Sequence, residues 1–244
     1  MKYNILLVGF GVIGVEALSK IVNDYKGKKK LRIIVVDKNI KNVPGGVAYS
    51  KQQSKFGFFN NPLRLSNPEF IKWIKKSKNI IKIKKFIYSK KDFNLSGWLK
   101  KNEAFNKKDT KKFDEIYLPR LTYSFFLEEK IVNLLKKVKK KDIDLHFIEG
   151  EFQDITNNNE YIGKIGKNSN SYKFLLSKNS FKLKKINKKH SICADNIIIG
   201  NGLLPPQKIK EKIFSNNNNY IWDFYSEGGT QNLLKKISKK MLSK

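Results

Sequence analysis

Two short runs of apolar residues dominate the first forty positions. Tyr3–Val8 and Leu31–Val36 show no alternation of apolar and polar residues, which predicts strands buried on both faces. Between them Val15, Leu18, Ile21 and Val22 recur at helical spacing, predicting a helix over 15–25, with Lys26–Lys30 as the returning loop. The buried-strand pattern returns at Asp144–Ile148 and at Asn196–Ile199. A short helix is predicted over Pro68–Ser77. A long one is predicted over Pro119–Lys137, with Leu121, Phe125, Leu127, Ile131, Leu134 and Leu135 as its apolar positions. Between 150 and 192, Tyr172–Ser177, Phe181–Lys185 and Ser191–Cys193 are expected to form a small antiparallel meander. Asn42–Ser66 is polar, rich in glycine and aromatic residues, and reads as a functional loop. Ile80–Lys112 is lysine-rich with weak patterning and is expected to be the least ordered stretch. Gln231–Lys244 reads as a terminal amphipathic helix.

The first strand runs into Gly9-Phe10-Gly11-Val12-Ile13-Gly14, and the helix follows at once. Each glycine has a physical task. Gly9 permits the tight turn, Gly11 lets the backbone approach a pyrophosphate, and Gly14 allows helix to pack on strand. The helix amino terminus then offers unpaired N–H groups and the positive end of its dipole. Asp37 closes the second strand 23 residues after Gly14, the spacing of a carboxylate that accepts from ribose hydroxyls. A bare glycine pattern is weak evidence. Strand, turn, helix and strand ending in an acid together point to a dinucleotide, without separating FAD from NAD. The chain is therefore expected to be α/β, with a Rossmann-like parallel sheet and a small antiparallel β-meander.

Charge changes the picture less than it first suggests. The formal net charge is +30, which invites a nucleic-acid reading. The cations, however, are 48 lysines and three arginines, and asparagine occurs 26 times, as compositional bias would produce. The lysines are scattered, and arginine, the residue suited to reading bases and phosphates, is nearly absent. No specific nucleic acid is expected as a partner. The lone cysteine, Cys193, excludes an internal disulfide framework and a cysteine metal cluster. Met1–Phe10 is short for a signal segment, and no run of 18 apolar residues occurs, so a cytoplasmic location without a membrane span is expected.

The following segments carry a resemblance. Pro44-Gly45-Gly46-Val47-Ala48-Tyr49-Ser50, Asn60-Asn61-Pro62-Leu63-Arg64-Leu65-Ser66, Leu118-Pro119-Arg120-Leu121-Thr122-Tyr123, Gly150-Glu151-Phe152 and Ile198-Ile199-Gly200-Asn201-Gly202 occur in order along nearly the whole chain. They resemble the signatures of the FAD/NAD(P)-binding flavoprotein family that includes FAD-dependent urate hydroxylases and aspartate N-monooxygenases. Phe10 departs from the glycine or alanine usual in the turn, and Gly200-Asn201 from alanine-threonine. The resemblance implies FAD as cofactor, with NAD(P)H as possible reductant and a small polar metabolite as substrate to be hydroxylated. It implies cofactor contacts at Gly9, Gly11, Gly14, Asp37, Gly45, Gly46, Tyr49, Asn60, Arg64, Arg120, Phe152, Gly200 and Gly202. Two of the three arginines, Arg64 and Arg120, lie in these segments, which suggests planar contacts that lysine cannot replace; a structural ion pair is the alternative. Tyr49 reads equally as a flavin cover and as a core residue.

No side chain stands out as a catalytic acid, base or nucleophile. His146 and His190 lie far apart, and Trp73, Trp98 and Trp222 are spaced irregularly, as core or lid residues would be. Residues 1–244 are read as a single FAD/NAD(P)-binding domain. In it 42–118 forms a loop and helical insertion, 150–192 the meander, and 203–244 a linker and terminal helix. Only 42 residues follow Gly202, and Gly228-Gly229 stands there without a preceding apolar strand. A second, nicotinamide-binding domain is therefore expected to be missing, so that turnover would need a partner chain. The rival reading is a truncated or partner-dependent nucleotide-binding protein without catalysis of its own.

Overall fold

In the computed structural model of the chain, the described residues are 2–27, 30–40, 46–49, 57–90, 93–157, 161–166, 169–177, 180–186 and 192–200. The expectations on Gly45, His190, Gly202, Trp222, Gly228 and the terminal helix lie outside them. The chain divides into two compact units, residues 1–46 with 127–203, and residues 47–126 with 204–244.

The first unit is built on a six-stranded mixed sheet. Its strands are β1 (Lys2–Val8), β2 (Lys30–Asp37), β3 (Asp144–Glu149), β6 (Asn170–Leu176), β7 (Phe181–Ile186) and β9 (Asn196–Ile199), in the order β7-β6-β3-β2-β1-β9. β3, β2, β1 and β9 run parallel, while β6 and β7 form an antiparallel extension at one edge. A second sheet, in the order β4-β5-β8, comprises β4 (Phe152–Asn157), β5 (Tyr161–Ile165) and β8 (Cys193–Ala194). The meander expected from Tyr172, Phe181 and Cys193 is thus split. Its first two strands extend the main sheet and the third pairs with β5. Local patterning shows that a segment is a strand, but its partner depends on which face needs cover.

Alternation explains the layers. Leu6, Val8, Ile34, Val36 and Ile148 share one sheet face and bury against Ile192 and Ala194, with Phe152, Ile165 and Ile197 packed on them. Leu7, Ile33, Val35 and Phe147 point to the other face and are equally buried. Helix α1 (Val12–Asp24) connects β1 to its parallel neighbour β2, a crossover that must lie over a sheet face. It buries Gly14, Val15, Leu18 and Val22. The second sheet occupies the first face, which leaves α1 the second. Lys141 donates from Nζ to the carbonyls of Val22, Asn23 and Tyr25 at 2.7, 3.1 and 2.7 Å and so caps the carboxyl end of α1. Lys130, in the later part of helix α7 (Leu121–Lys140), reaches both carboxylate oxygens of Glu16 at 2.7 Å.

The second unit contains α3 (Pro68–Ile74), α4 (Ser77–Lys90), α5 (Phe93–Lys101), α6 (Glu103–Lys107) and the first turn and a half of α7; α2 is the short turn Gly46–Tyr49. The stretch expected to be least ordered, Ile80–Lys112, is largely helical. Ile80, Ile83, Ile87, Leu95, Leu99 and Phe105 are buried. Ile80, Ile83 and Ile87 do keep a helical stripe, but the intervening lysines mask it in the averaged pattern. Within the segment read as loop, Gly46–Tyr49 is helical and Leu63–Leu65 is a 3-10 turn. Trp73 and Trp98 are buried, and the Trp98 indole N–H donates to the Tyr117 carbonyl at 3.0 Å, so both serve the core.

His146 generates a pH prediction. It is buried on β3, and burial pushes its imidazole below the usual range despite Asp144 at 2.6 Å, which favours the charged form; Arg32 and Lys173 add to the downward shift. The unfolded chain therefore takes up a proton near pH 6.5 while the folded chain resists it. The stabilising contribution is complete above that pH and is lost as pH falls toward the folded value. Denaturant midpoints should drop from pH 7.5 to 5.5, and His146→Gln should flatten part of that slope.

Candidate functional site

The glycine turn is built as its sequence requires. Gly9 has φ +87°, and its N–H donates to the Val36 carbonyl at 2.7 Å. A Cβ built on Gly14 would run into the Gly9 carbonyl, so any side chain there must displace backbone. The helix starts with the Val15 N–H on the Gly11 carbonyl at 3.0 Å. Gly11, the N-cap, contributes no side-chain acceptor, and the first turn carries no acidic residue. The amino end of α1 is thus electrostatically receptive to an anion. Gly46, with φ +56°, meets the same turn: a Cβ on it would stand 3.4 Å from the Gly11 Cα. Gly200 joins from β9, donating its N–H to the Val8 carbonyl at 2.7 Å. A Cβ there would sit 3.2 Å from Ile13. The first unit therefore gathers Gly9, Gly11, Gly14, Gly46 and Gly200 around one turn.

Asp37 is tied into this turn. One carboxylate oxygen accepts the Phe10 N–H at 2.7 Å and the other accepts the Asn39 N–H at 2.8 Å. Each oxygen retains acceptor capacity, so the carboxylate can brace the turn and still meet a hydroxyl. Phe10, the departure from the usual small residue, is fully buried. Its ring meets Phe147 edge-on, with centroids 5.4 Å apart. The large side chain thus fills space beneath the turn. Phe152 opens β4 and packs on the apolar cluster of the main sheet.

Among the described residues, the predicted contacts Tyr49, Asn60, Arg64 and Arg120 fall in the second unit. Arg120 uses its fork on two acceptors, the Phe58 carbonyl at 2.9 Å from Nε and Asn60 Oδ1 at 3.1 Å from Nη2. Its own N–H donates to the Gly57 carbonyl at 2.9 Å, where a side chain would crowd the Arg120 stem. Asn60 and Arg120 are therefore brought together. Arg64 instead makes one exposed pair, Nε to Glu115 Oε1 at 2.8 Å. The two retained arginines thus differ: Arg120 exploits planarity, whereas Arg64 makes a contact that lysine could also reach. Tyr49 lies in an aromatic group with Phe59 and Tyr123, at centroid distances of 5.7 and 4.9 Å, which continues through Phe70 and Trp73.

Sequence reasoning missed Glu149, which ends β3 as Asp37 ends β2 and is its direct cross-strand partner. The signal was present, since Ile148-Glu149-Gly150 is again an apolar strand closed by an acid. Among the described residues no group of three or more His, Cys, Asp or Glu could hold a metal ion, and no helix is long and apolar enough to cross a membrane.

Gly14→Ala should displace the turn from α1 and cost on the order of 1–3 kcal/mol of stability, measured by equilibrium unfolding. Arg120→Lys should destabilise by about 1 kcal/mol because one of two fork contacts is lost, whereas Arg64→Lys should stay within about 0.5 kcal/mol; equal effects would remove the distinction.

A sequence model of the FAD-NAD(P)-binding family matches residues 6–174, from the first strand through β6. No curated protein and no solved structure matches the chain. With the match covering more than half of its length, the chain belongs to the FAD-NAD(P)-binding family.

Proposed function

We propose that the chain is the FAD-binding oxidoreductase domain of an NAD(P)H-dependent flavin monooxygenase that hydroxylates a small polar metabolite. The observation that carries the reading is the glycine cradle at the amino end of α1, braced by Asp37 and closed by Gly46. The residues fit a dinucleotide pyrophosphate, because the cradle is narrow where a Cβ would obstruct it and its helix end is free of acids. FAD over NAD at this turn rests on the resemblance of the Gly45-Gly46 and Arg120 segments to flavoprotein signatures. When bound, FAD supplies hydride acceptance and the reduction of oxygen.

This chain's own residues bind and orient. In the proposed pose, the Gly11 turn and the first N–H groups of α1 meet the pyrophosphate, and Asp37 accepts from a ribose hydroxyl. Arg120 ties residues 57–60 to the start of α7. On this reading 1–244 forms one cofactor domain with 42–118 as its insertion. The second reading is a nucleotide-binding protein without catalysis of its own. It is favoured by one observation: no described side chain is set up as an acid or base beside the glycine cradle.

The test has two stages. The purified chain should show flavin absorption, release FAD rather than FMN on denaturation, and lose it in Gly11→Val. Anaerobic mixing with NADH or NADPH then tests the expected need for a partner chain: rapid, saturable bleaching would overturn that need and the second reading together. Absence of flavin overturns the proposal.

A further inference from the structure

We propose that Glu149, held by Tyr172, is a second carboxylate of the adenosine subsite beside Asp37, and that it selects a dinucleotide with free ribose hydroxyls over a 2′-phosphorylated one. The inference rests on the reading above that the turn takes an ADP moiety.

The placement follows from strand register. Val8, Val36 and Ile148 are aligned at the carboxyl ends of β1, β2 and β3, and Asp37 stands directly opposite Glu149. Partners in adjacent parallel strands project to the same sheet face, about 4.8 Å apart. That face is also the one on which Phe10 packs against Phe147, the face of the glycine turn. Moving outward from the turn, the strand ends therefore present the pyrophosphate cradle at β1, a carboxylate at β2 and a second carboxylate at β3.

Glu149 is held in place. Tyr172 lies opposite Phe147 on β6, and its hydroxyl donates to Glu149 Oε2 at 2.8 Å. Tyr172 is buried, and its phenol is raised above the usual range, first by burial and then by the hydrogen bond to Glu149 and that group's charge. It stays a proton donor throughout the working pH range. A carboxylate has about four acceptor positions, so Glu149 keeps capacity for a ligand. Beyond the strand ends, Lys38 Nζ is 3.4 Å from Glu151, an exposed contact that partly occupies that cation. In a chain of net charge +30, the adenosine end of the cradle is thus locally acidic. A ribose phosphate placed there would meet two carboxylates, while hydroxyls would find two acceptors.

The test displaces FAD from the full chain with ADP-ribose or 2′-phospho-ADP-ribose, read by flavin fluorescence. The parent should bind ADP-ribose about tenfold or more tightly than the phosphorylated probe. Glu149→Gln, which keeps shape and removes charge, should tighten the phosphorylated probe about fivefold and weaken ADP-ribose about twofold, because an amide oxygen is a poorer acceptor than a carboxylate. Tyr172→Phe should move the ratio in the same direction by releasing Glu149. Added salt should shrink the parent's ratio more than that of Glu149→Gln. A general loss of stability would weaken both probes alike and leave their ratio fixed. A ratio unchanged in both variants overturns the role of Glu149 and leaves the proposed function standing; a parent that holds no FAD and neither probe overturns both.

Discussion

The contact between Gly14 and the Gly9 carbonyl sets the geometry on which the first unit depends. With no Cβ at Gly14 and φ +87° at Gly9, α1 can begin directly against the end of β1. That approach fixes the angle at which the helix crosses to β2. It also leaves the first-turn N–H groups facing outward rather than into a side-chain cap. Asp37 reinforces the geometry from the next strand by accepting the Phe10 N–H, so the turn is closed covalently on one side and by a charge-assisted hydrogen bond on the other.

A helix whose amino end is kept open must be anchored elsewhere. Lys141 gathers three carbonyls at the other end of α1, and Glu16 is gripped by Lys130. The lysine ammonium complements the negative end of the helix dipole, while the positive end stays available for phosphate. Some of the lysines that make the chain so basic are therefore structural. This weakens any argument from net charge to nucleic acid, because charge committed to helix ends and carboxylates does not form a continuous binding stripe.

The aromatic group of the second unit is the counterpart to these polar constraints. Phe59, Phe70, Trp73, Tyr123 and Phe126 interlock mostly edge-on or tilted, with Tyr49 at its margin. Such contacts add about 0.5–1.5 kcal/mol each beyond burial. Arg120 adds a planar brace to Phe58 and Asn60. An arginine persisting in a lysine-rich chain is thus explained at position 120 by geometry, whereas at 64 it makes an ordinary surface pair with Glu115.

The sequence by itself determined the parts whose cause is local. Uninterrupted apolar runs gave β1, β2, β3 and β9, because a strand covered on both faces needs no alternation. The glycine spacing gave the turn, because only those backbone conformations and that close approach satisfy it. Asp37 was legible for the same reason, being tied to the turn through a neighbouring strand. The helices in Ile80–Lys112 were not, since lysines outnumber the isoleucines that bury and only packing shows which face counts. Nor was the division of β6, β7 and β8 between two sheets, which depends on which face needs cover. Glu149 was legible as an acid that closes an apolar strand, but its place beside Asp37 was not: 112 positions separate the two, and only the β2–β3 register sets them side by side.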